Sequence, residues 1–336
     1  MVDNFTSLKS LKVPQSLKKN FHQEKFPKKG NWKVVLGLLL STAGLSLFLW
    51  QKDYIWQWWQ QFSGPATYEI INPEIMDTQL QRITSNLHTT NDVVTGIRAL
   101  IDPLQGVYGV YVESLKDGST YGVNQDEQFT AASVNKVLIM AKTLQEIDKE
   151  KLHFEDEYRL QQKDIQDYGT GSMRYARLGT TYSYDQLLEL SGKQSDNTAN
   201  WVLALILGKN KVQAFVDSLG MDQTSITDNT TTPVEMGKFF SRIYEGQILP
   251  DHLRDKFYGY LTQTEFEDRI PSGTPNFIAV AHKIGSEIQV INDCGIIFDK
   301  KNPYVLCILS KEVQEAEALK VLPKISTLVW TYESKK

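Results

Sequence analysis

The chain predicts an α+β fold in which an antiparallel sheet, flanked by terminal helices, stands beside an all-α lobe. Three observations lead there. A strand–turn–strand pattern lies near residues 106–123, strand patterns return only after residue 278, and helical periodicity dominates the stretch between. A sheet built from both ends of a domain, with helices inserted in its middle, satisfies all three. With 336 residues and a net charge of −4, the chain is long enough for such a domain and an N-terminal extension.

The elements follow in order. Pro73 to Asp102 reads as one amphipathic helix, with Ile75, Leu80, Ile83 and Leu87 on a common face. Gly106–Ser114 and Ser119–Val123 read as a hairpin around the turn Lys116-Asp117-Gly118. Helical patterns then run over Ser133–Ile147, Tyr184–Leu190, Thr198–Leu207, Lys211–Leu219 and Pro233–Tyr244. Strands are expected at Ile278–Lys283, Gln289–Phe298 and Tyr304–Leu309, before a closing helix from Val313 to about Tyr332. The α/β part thus comprises about 68–132 and 276–336, and the helical lobe about 133–275. The crevice between two such halves is where a ligand is expected.

Residues 1–33 form a basic tail, with Lys9, Lys12, Lys18, Lys19, Lys25, Lys28, Lys29 and Lys33 against Asp3 and Glu24. Val34–Trp50 is uncharged, and as a helix would span roughly 25 Å, close to a bilayer core. Trp32 stands at one end and Trp50, Tyr54, Trp56, Trp58 and Trp59 crowd the other, as at a membrane interface. The expected arrangement is a single-pass anchor over 34–50 in a bacterial cell membrane, a cytoplasmic N-terminus, a stalk over 51–67 and an extracytoplasmic domain over 68–336. A cleaved signal peptide shares the basic-then-apolar layout, but the small-residue cleavage site is missing where the aromatic cluster begins. The tail lacks the aromatic and Arg pattern of a nucleic-acid binder, so no nucleic-acid partner is expected. Cys294 and Cys307 are the two cysteines; they fall on adjacent expected strands and read as buried free thiols, with pairing open where geometry permits.

Three short motifs carry chemistry: Ser133-Val134-Asn135-Lys136, Ser195-Asp196-Asn197 and Lys283-Ile284-Gly285. Each is weak alone. S-x-x-K arises by chance roughly once in such a chain, and Ser16-Leu17-Lys18-Lys19 matches it within the basic tail. Ser-Asp-Asn is also an ordinary helix start, and Lys283 an ordinary strand lysine. Their order gives them meaning. A lysine three residues after a serine reaches its hydroxyl from the next helical turn, and the positive end of that helix favours the neutral amine that a base must be. Lys283 would hold a carboxylate as a point charge, and Gly285 would let a ligand approach the strand.

S-x-x-K, S-D-N and a near K-T-G in this order resemble the penicillin-binding and class A β-lactamase superfamily of serine hydrolases over roughly residues 70–332. Further similar segments are Gly169-Thr-Gly-Ser172, Thr231-Thr-Pro233, Arg269-Ile-Pro-Ser-Gly273 and Asn292-Asp-Cys-Gly-Ile-Ile297. The resemblance implies a β-lactamase/transpeptidase-like fold, with Ser133 as acylated nucleophile, Lys136 as its base and Ser195 as proton relay. Asn197 would bind the substrate amide and Lys136, Lys283 the substrate carboxylate, and the N–H groups of Ser133 and Ser286 the oxyanion. No metal or cofactor is implied. The implied substrates are β-lactams or D-amino-acid peptides of peptidoglycan.

Two departures refine this expectation. The glutamate that activates water for deacylation in class A β-lactamases is missing, because Asp217, Asp222 and Asp228 are the carboxylates between Asn197 and Pro233. Slow release of the acyl group follows. Ile284 replaces the hydroxyl residue that usually supports the substrate carboxylate. Two alternatives are a true β-lactamase using Asp228 and a cell-wall-binding protein that has lost turnover.

Overall fold

The computed structural model describes residues 73–85 and 87–336; the basic tail, the apolar run and the stalk lie outside these residues. Among the described residues no helix is long and apolar enough to cross a membrane.

The expected first helix is two, α1 (Pro73–Thr84) and α2 (Thr90–Ile101). Thr89 ends the continuity. Its hydroxyl accepts from Asp92 N–H while Asp92 accepts from Thr89 N–H, a reciprocal cap that starts a new helix. The T-x-x-D spacing was present in the sequence, but the apolar periodicity ran across it.

Five antiparallel strands form the sheet: β1 (Val107–Ser114), β2 (Thr120–Val123), β7 (Val280–Glu287), β8 (Val290–Ile297) and β9 (Tyr304–Lys311). Their order is β2-β1-β9-β8-β7, so the two ends of the domain meet where β1 pairs with β9. Alternation along each strand separates two cores. Tyr111, Val305, Cys307 and Leu309 face the helical lobe. Val110, Val112, Leu306 and Ile308 face α2 and the closing helix α9 (Glu315–Glu333).

The lobe consists of α3 (Lys136–Asp148), α4 (Tyr184–Lys193), α5 (Asn197–Leu207), α6 (Lys209–Ser218), α7 (Pro233–Tyr244) and α8 (Asp251–Leu261). Sequence periodicity missed α8, although Leu253, Phe257, Tyr260 and Leu261 bury one of its faces. Two short ribbons, β3 (Phe129–Thr130) with β6 (Thr230–Thr231) and β4 (Glu157–Arg159) with β5 (Thr181–Ser183), brace the connections.

The reading of Cys294 and Cys307 as free thiols is corrected. β8–β9 register sets them directly opposite, with Cα atoms 4.0 Å apart, and their sulfurs are bonded. Spacing along the chain could not reveal that register; it is fixed by which face of each strand is buried.

Candidate active site

Ser133 lies in a single 3₁₀ turn, Ala132–Asn135, that runs into α3, of which Lys136 is the first residue. The sequence placed the helix start at Ser133; a tighter turn intervenes. Ala132 has φ +50°, a left-handed conformation unfavourable for a residue with a Cβ, so neighbours must hold it. Asn292 Nδ2 donates to Thr130 O at 2.9 Å and Ala131 O at 3.2 Å, and Ala131 N–H donates to Asn229 O at 2.8 Å. Strand β7 then abuts the turn, since a Cβ on Gly285 would lie 2.7 Å from Ala131 O. Gly285 therefore serves close packing of strand against turn.

Lys136 is 6% exposed. Its Nζ donates to Ser195 O at 2.5 Å and Asn197 Oδ1 at 2.7 Å, and lies 3.2 Å from Ser195 Oγ. Burial pushes its pKa down to about 7 against the opposing pull of Asp196. A neutral amine has two N–H groups and one lone pair; the two carbonyl oxygens take the N–H groups, leaving the lone pair for a hydroxyl proton.

Ser195, Asp196 and Asn197 divide their work. Asp196 is the helix cap, accepting from Ala199 N–H and Met173 N–H at 2.8 Å each. Ser195, held at φ +53°, and Asn197 both line the cleft. The segment before them is fitted around the motif. Gly169 (φ +71°) would drive a Cβ to 2.3 Å from Asn197 Nδ2, and Thr170 Oγ1 donates to Ser195 O at 2.9 Å. The segment Gly169–Ser172 resembles the family in sequence, but its packing role is set by contacts that only the fold creates.

β7 is an edge strand, leaving alternate backbone groups unpaired within the sheet, and Ser286 lines the cleft from it. Lys283 lies behind that surface. It is 1% exposed, its Nζ donates to Ile284 O at 3.2 Å, and burial together with the charge of Lys136 holds its pKa well below the ordinary lysine value. The cation that reaches the cleft beside Ser286 is Arg269, whose Nη2 donates to Ser286 Oγ at 2.6 Å and whose Nη1 donates to Gly285 O at 2.9 Å and Asn292 O at 2.5 Å. The segment Arg269–Gly273 resembles the family in sequence, but nothing in that resemblance gave Arg269 a role at the cleft. Next to Lys283, buried His282 has Nδ1 2.8 Å from Asp293 Oδ1 and Nε2 3.3 Å from Glu267 Oε1. Burial alone would lower its pKa, but the Asp293 charge and the bonds to Asp293 and Glu267 raise it to about 9.

One cavity of about 640 Å³ opens at the junction of sheet and lobe. Ser133, Lys136, Ser195, Asn197 and Ser286 come together on its wall; Lys283 and Gly285 do not line it. Asp228 does not line it either, its Oδ2 accepting instead from Ser225 Oγ at 2.9 Å. Glu287 is the one carboxylate on the wall among the described residues.

Comparison with known proteins bears on this arrangement. A β-lactamase of Proteus vulgaris is 26% identical over 249 residues, covering 69% of this chain and 91% of its own. The β-lactamase Toho-1 of Escherichia coli is 28% identical, covering 66% and 82% respectively. Among solved structures, PBP-A superposes with a TM-score of 0.69 at 22% identity over 73% of this chain and 97% of its own. A PBP-A variant, solved as an acyl-enzyme complex with penicillin G, gives 0.70 over the same shares at 22% identity. An ancestral class A β-lactamase gives 0.66 at 24% identity, covering 70% and 98%. These structures share the β-lactamase/transpeptidase-like fold. Residues 92–332, spanning the whole of the cleft, match the model of the Beta-lactamase enzyme family, and the chain belongs to that family.

Proposed function

We propose that this protein is an extracytoplasmic active-serine acyl-transfer enzyme that forms an acyl-enzyme at Ser133 with β-lactams or D-amino-acid cell-wall peptides and releases it slowly. The observation that carries this reading is Lys136, a buried amine with its pKa near 7, held by Ser195 and Asn197 one turn from Ser133. Lys136 takes the Ser133 proton as Oγ attacks the substrate carbonyl, and Ser195 passes a proton to the departing nitrogen. The N–H groups of Ser133 and Ser286 stabilise the oxyanion, each such donor being worth about 3 kcal/mol in the transition state. Lys283, with Arg269 on the cavity wall, supplies positive potential for a substrate carboxylate.

Slow release rests on the 219–229 loop, which brings Ile226 and Asn229 to the cavity but no carboxylate. The PBP-A variant captured with penicillin G offers a structural parallel for a long-lived adduct. A second reading, rapid β-lactam hydrolysis, has Glu287 on the cavity wall in its favour. Membrane anchoring over 34–50 is part of the proposal, and a buried disulfide suits the oxidising side of such a membrane. Intact mass after incubation with penicillin G tests the reading. A persistent adduct absent from Ser133→Ala supports it; rapid turnover that Glu287→Gln abolishes replaces slow release with hydrolysis.

A further inference from the structure

The loop between α8 and β7 brings Phe266 and Arg269 to the cavity, and its attachments to the rest of the domain are specific. At one end Glu265 N–H donates to Lys193 O at 3.0 Å. At the other, Ile270 N–H donates to Asp293 Oδ2 at 3.0 Å and Ile270 O accepts from Ser326 Oγ at 2.8 Å. Between them Glu267 Oε1 lies 3.3 Å from Nε2 of His282, whose Nδ1 is 2.8 Å from Asp293 Oδ1. Arg269 therefore sits between two residues, Glu267 and Ile270, that are both tied to the His282–Asp293 pair. Its bonds to Gly285 O, Asn292 O and Ser286 Oγ use both N–H groups of Nη1 and one of Nη2, leaving the second Nη2 N–H for a carboxylate oxygen.

The ring can hold both carboxylates only when charged. An imidazolium donates from both nitrogens, whereas a neutral imidazole has one N–H. Asp293, fully buried and within 2.8 and 3.0 Å of Nδ1, retains that proton, and the Nε2 lone pair then faces the Glu267 carboxylate. Other groups do not replace the lost bond. Thr264 Oγ1, 3.4 Å from Nε2, is already engaged with Glu267 Oε1 at 2.9 Å. Arg269 lies on the same loop, and Lys283 is the next residue of the strand. From α8 the buried residues are Leu253, Phe257, Tyr260 and Leu261, of which Tyr260 donates to Asp185; from the closing helix α9 the charge of Glu315 acts on Arg269.

We propose that His282 is a positioning residue for substrate binding: bridging Asp293 and Glu267, it fixes the segment that carries Arg269 and so sets affinity for the substrate carboxylate. The inference rests on the proposed acylation of Ser133 and on Arg269 meeting that carboxylate. His282 touches no reacting atom, so its loss of charge weakens binding and leaves the chemical step to Lys136. With the pKa of His282 raised to about 9, the bridge is intact at pH 7 and opens as pH rises through 9.

The test separates binding from chemistry. Acylation by penicillin G, followed by intact mass over a range of concentrations from pH 7 to 10, yields the limiting rate constant and the concentration that gives half of it. In the wild type the half-saturating concentration is expected to rise about tenfold through pH 9, the loss of a hydrogen bond to a charged group, while the limiting constant stays level. Glu267→Gln supplies an amide N–H that donates to neutral Nε2, and its half-saturating concentration should stay near the wild-type pH 7 value throughout. A wild-type half-saturating concentration that does not change with pH, or an alkaline rise that persists in Glu267→Gln, overturns the positioning role while leaving acylation intact. Failure of penicillin G to label Ser133 at any pH overturns the acylation reading and, with it, this inference.

Discussion

If Lys136 is the base for Ser133, acylation should titrate with it. At the ordinary lysine pKa of 10.5, about one amine in 3,000 is neutral at pH 7; with the pKa pushed down to about 7, about half are, a gain of roughly 1,500-fold in active base. Only the neutral amine accepts a proton, so activity lies on the alkaline side of the titration. The rate constant for acylation by penicillin G, followed by quenched-flow mass spectrometry, should rise about tenfold per pH unit below 7 and level off above it. Lys136→Arg, whose guanidinium does not deprotonate, should lose about 10²- to 10⁴-fold and the pH dependence with it. A flat wild-type profile from pH 6 to 9, or a midpoint near 10, would refute the argument. The same burial has a thermodynamic signature. The folded protein releases the Lys136 proton near pH 7 and the unfolded chain near 10.5, so between those values the unfolded state binds more protons and this group's contribution to stability rises with pH, by about 5 kcal/mol in all.

Three other perturbations probe the surroundings. Arg269→Lys keeps the charge but cannot reproduce the fork on Gly285, Asn292 and Ser286, and steady titration with penicillin G should show acylation efficiency down about tenfold or more. His282, raised from 6.5 to about 9, contributes about 3 kcal/mol that is fully present below pH 6.5 and lost as pH rises through 9; urea midpoints of wild type and His282→Asn should therefore converge from pH 6 to pH 9.5, and parallel curves would contradict this. Replacing both Cys294 and Cys307 by Ala removes a crosslink across 13 residues of sequence separation, and unfolding free energy should fall by about 2–3 kcal/mol without change in the Ser133 adduct mass.

Much of this molecule was legible because its periodicities are clean. The apolar runs of β1, β8 and β9 are buried on both faces, and the five strands fall where expected, with β7 displaced toward the glycine of its motif. The three motifs converge because the sheet closes β1 onto β9 and leaves β7 as the edge facing the nucleophile turn. What stayed hidden depends on register and packing. The disulfide needs Cys294 and Cys307 to be opposite, which one residue of slip would undo. Lys283 reads as a surface anchor in the sequence, yet the β7 pleat turns it inward, and Arg269, from a loop and itself largely buried, is the cation that lines the cavity beside Ser286. The roles of Gly169 and Gly285 differ for the same reason: each is small because a neighbouring segment occupies the space a side chain would need.

The cleft also concentrates unfavourable terms that ordinary folding would remove. Ala132 and Ser195 are both held in left-handed backbone, at order 1–3 kcal/mol each, and Lys136 adds a desolvated amine between them. Each is held from outside the reacting atoms: Asn292 and Gly285 fix the turn before Ser133, while Asp196, Thr170 and Gly169 fix the segment around Ser195. Those groups make no contact with a reacting atom in the proposed chemistry. They keep Ser133, Lys136 and Ser195 in a geometry that the three side chains would not adopt by themselves, which is the preorganisation that acyl transfer needs. The opposing pH signs of Lys136 and His282 follow from the same division. The amine is buried without a carboxylate in hydrogen-bond contact and favours its neutral form, whereas the imidazole, one residue from Lys283, is buried between two carboxylates and favours its charged form. Between pH 7 and 9 their contributions to stability oppose one another, so a broad plateau in wild-type stability across that range should break into a rise when His282 is replaced and into a fall when Lys136 is.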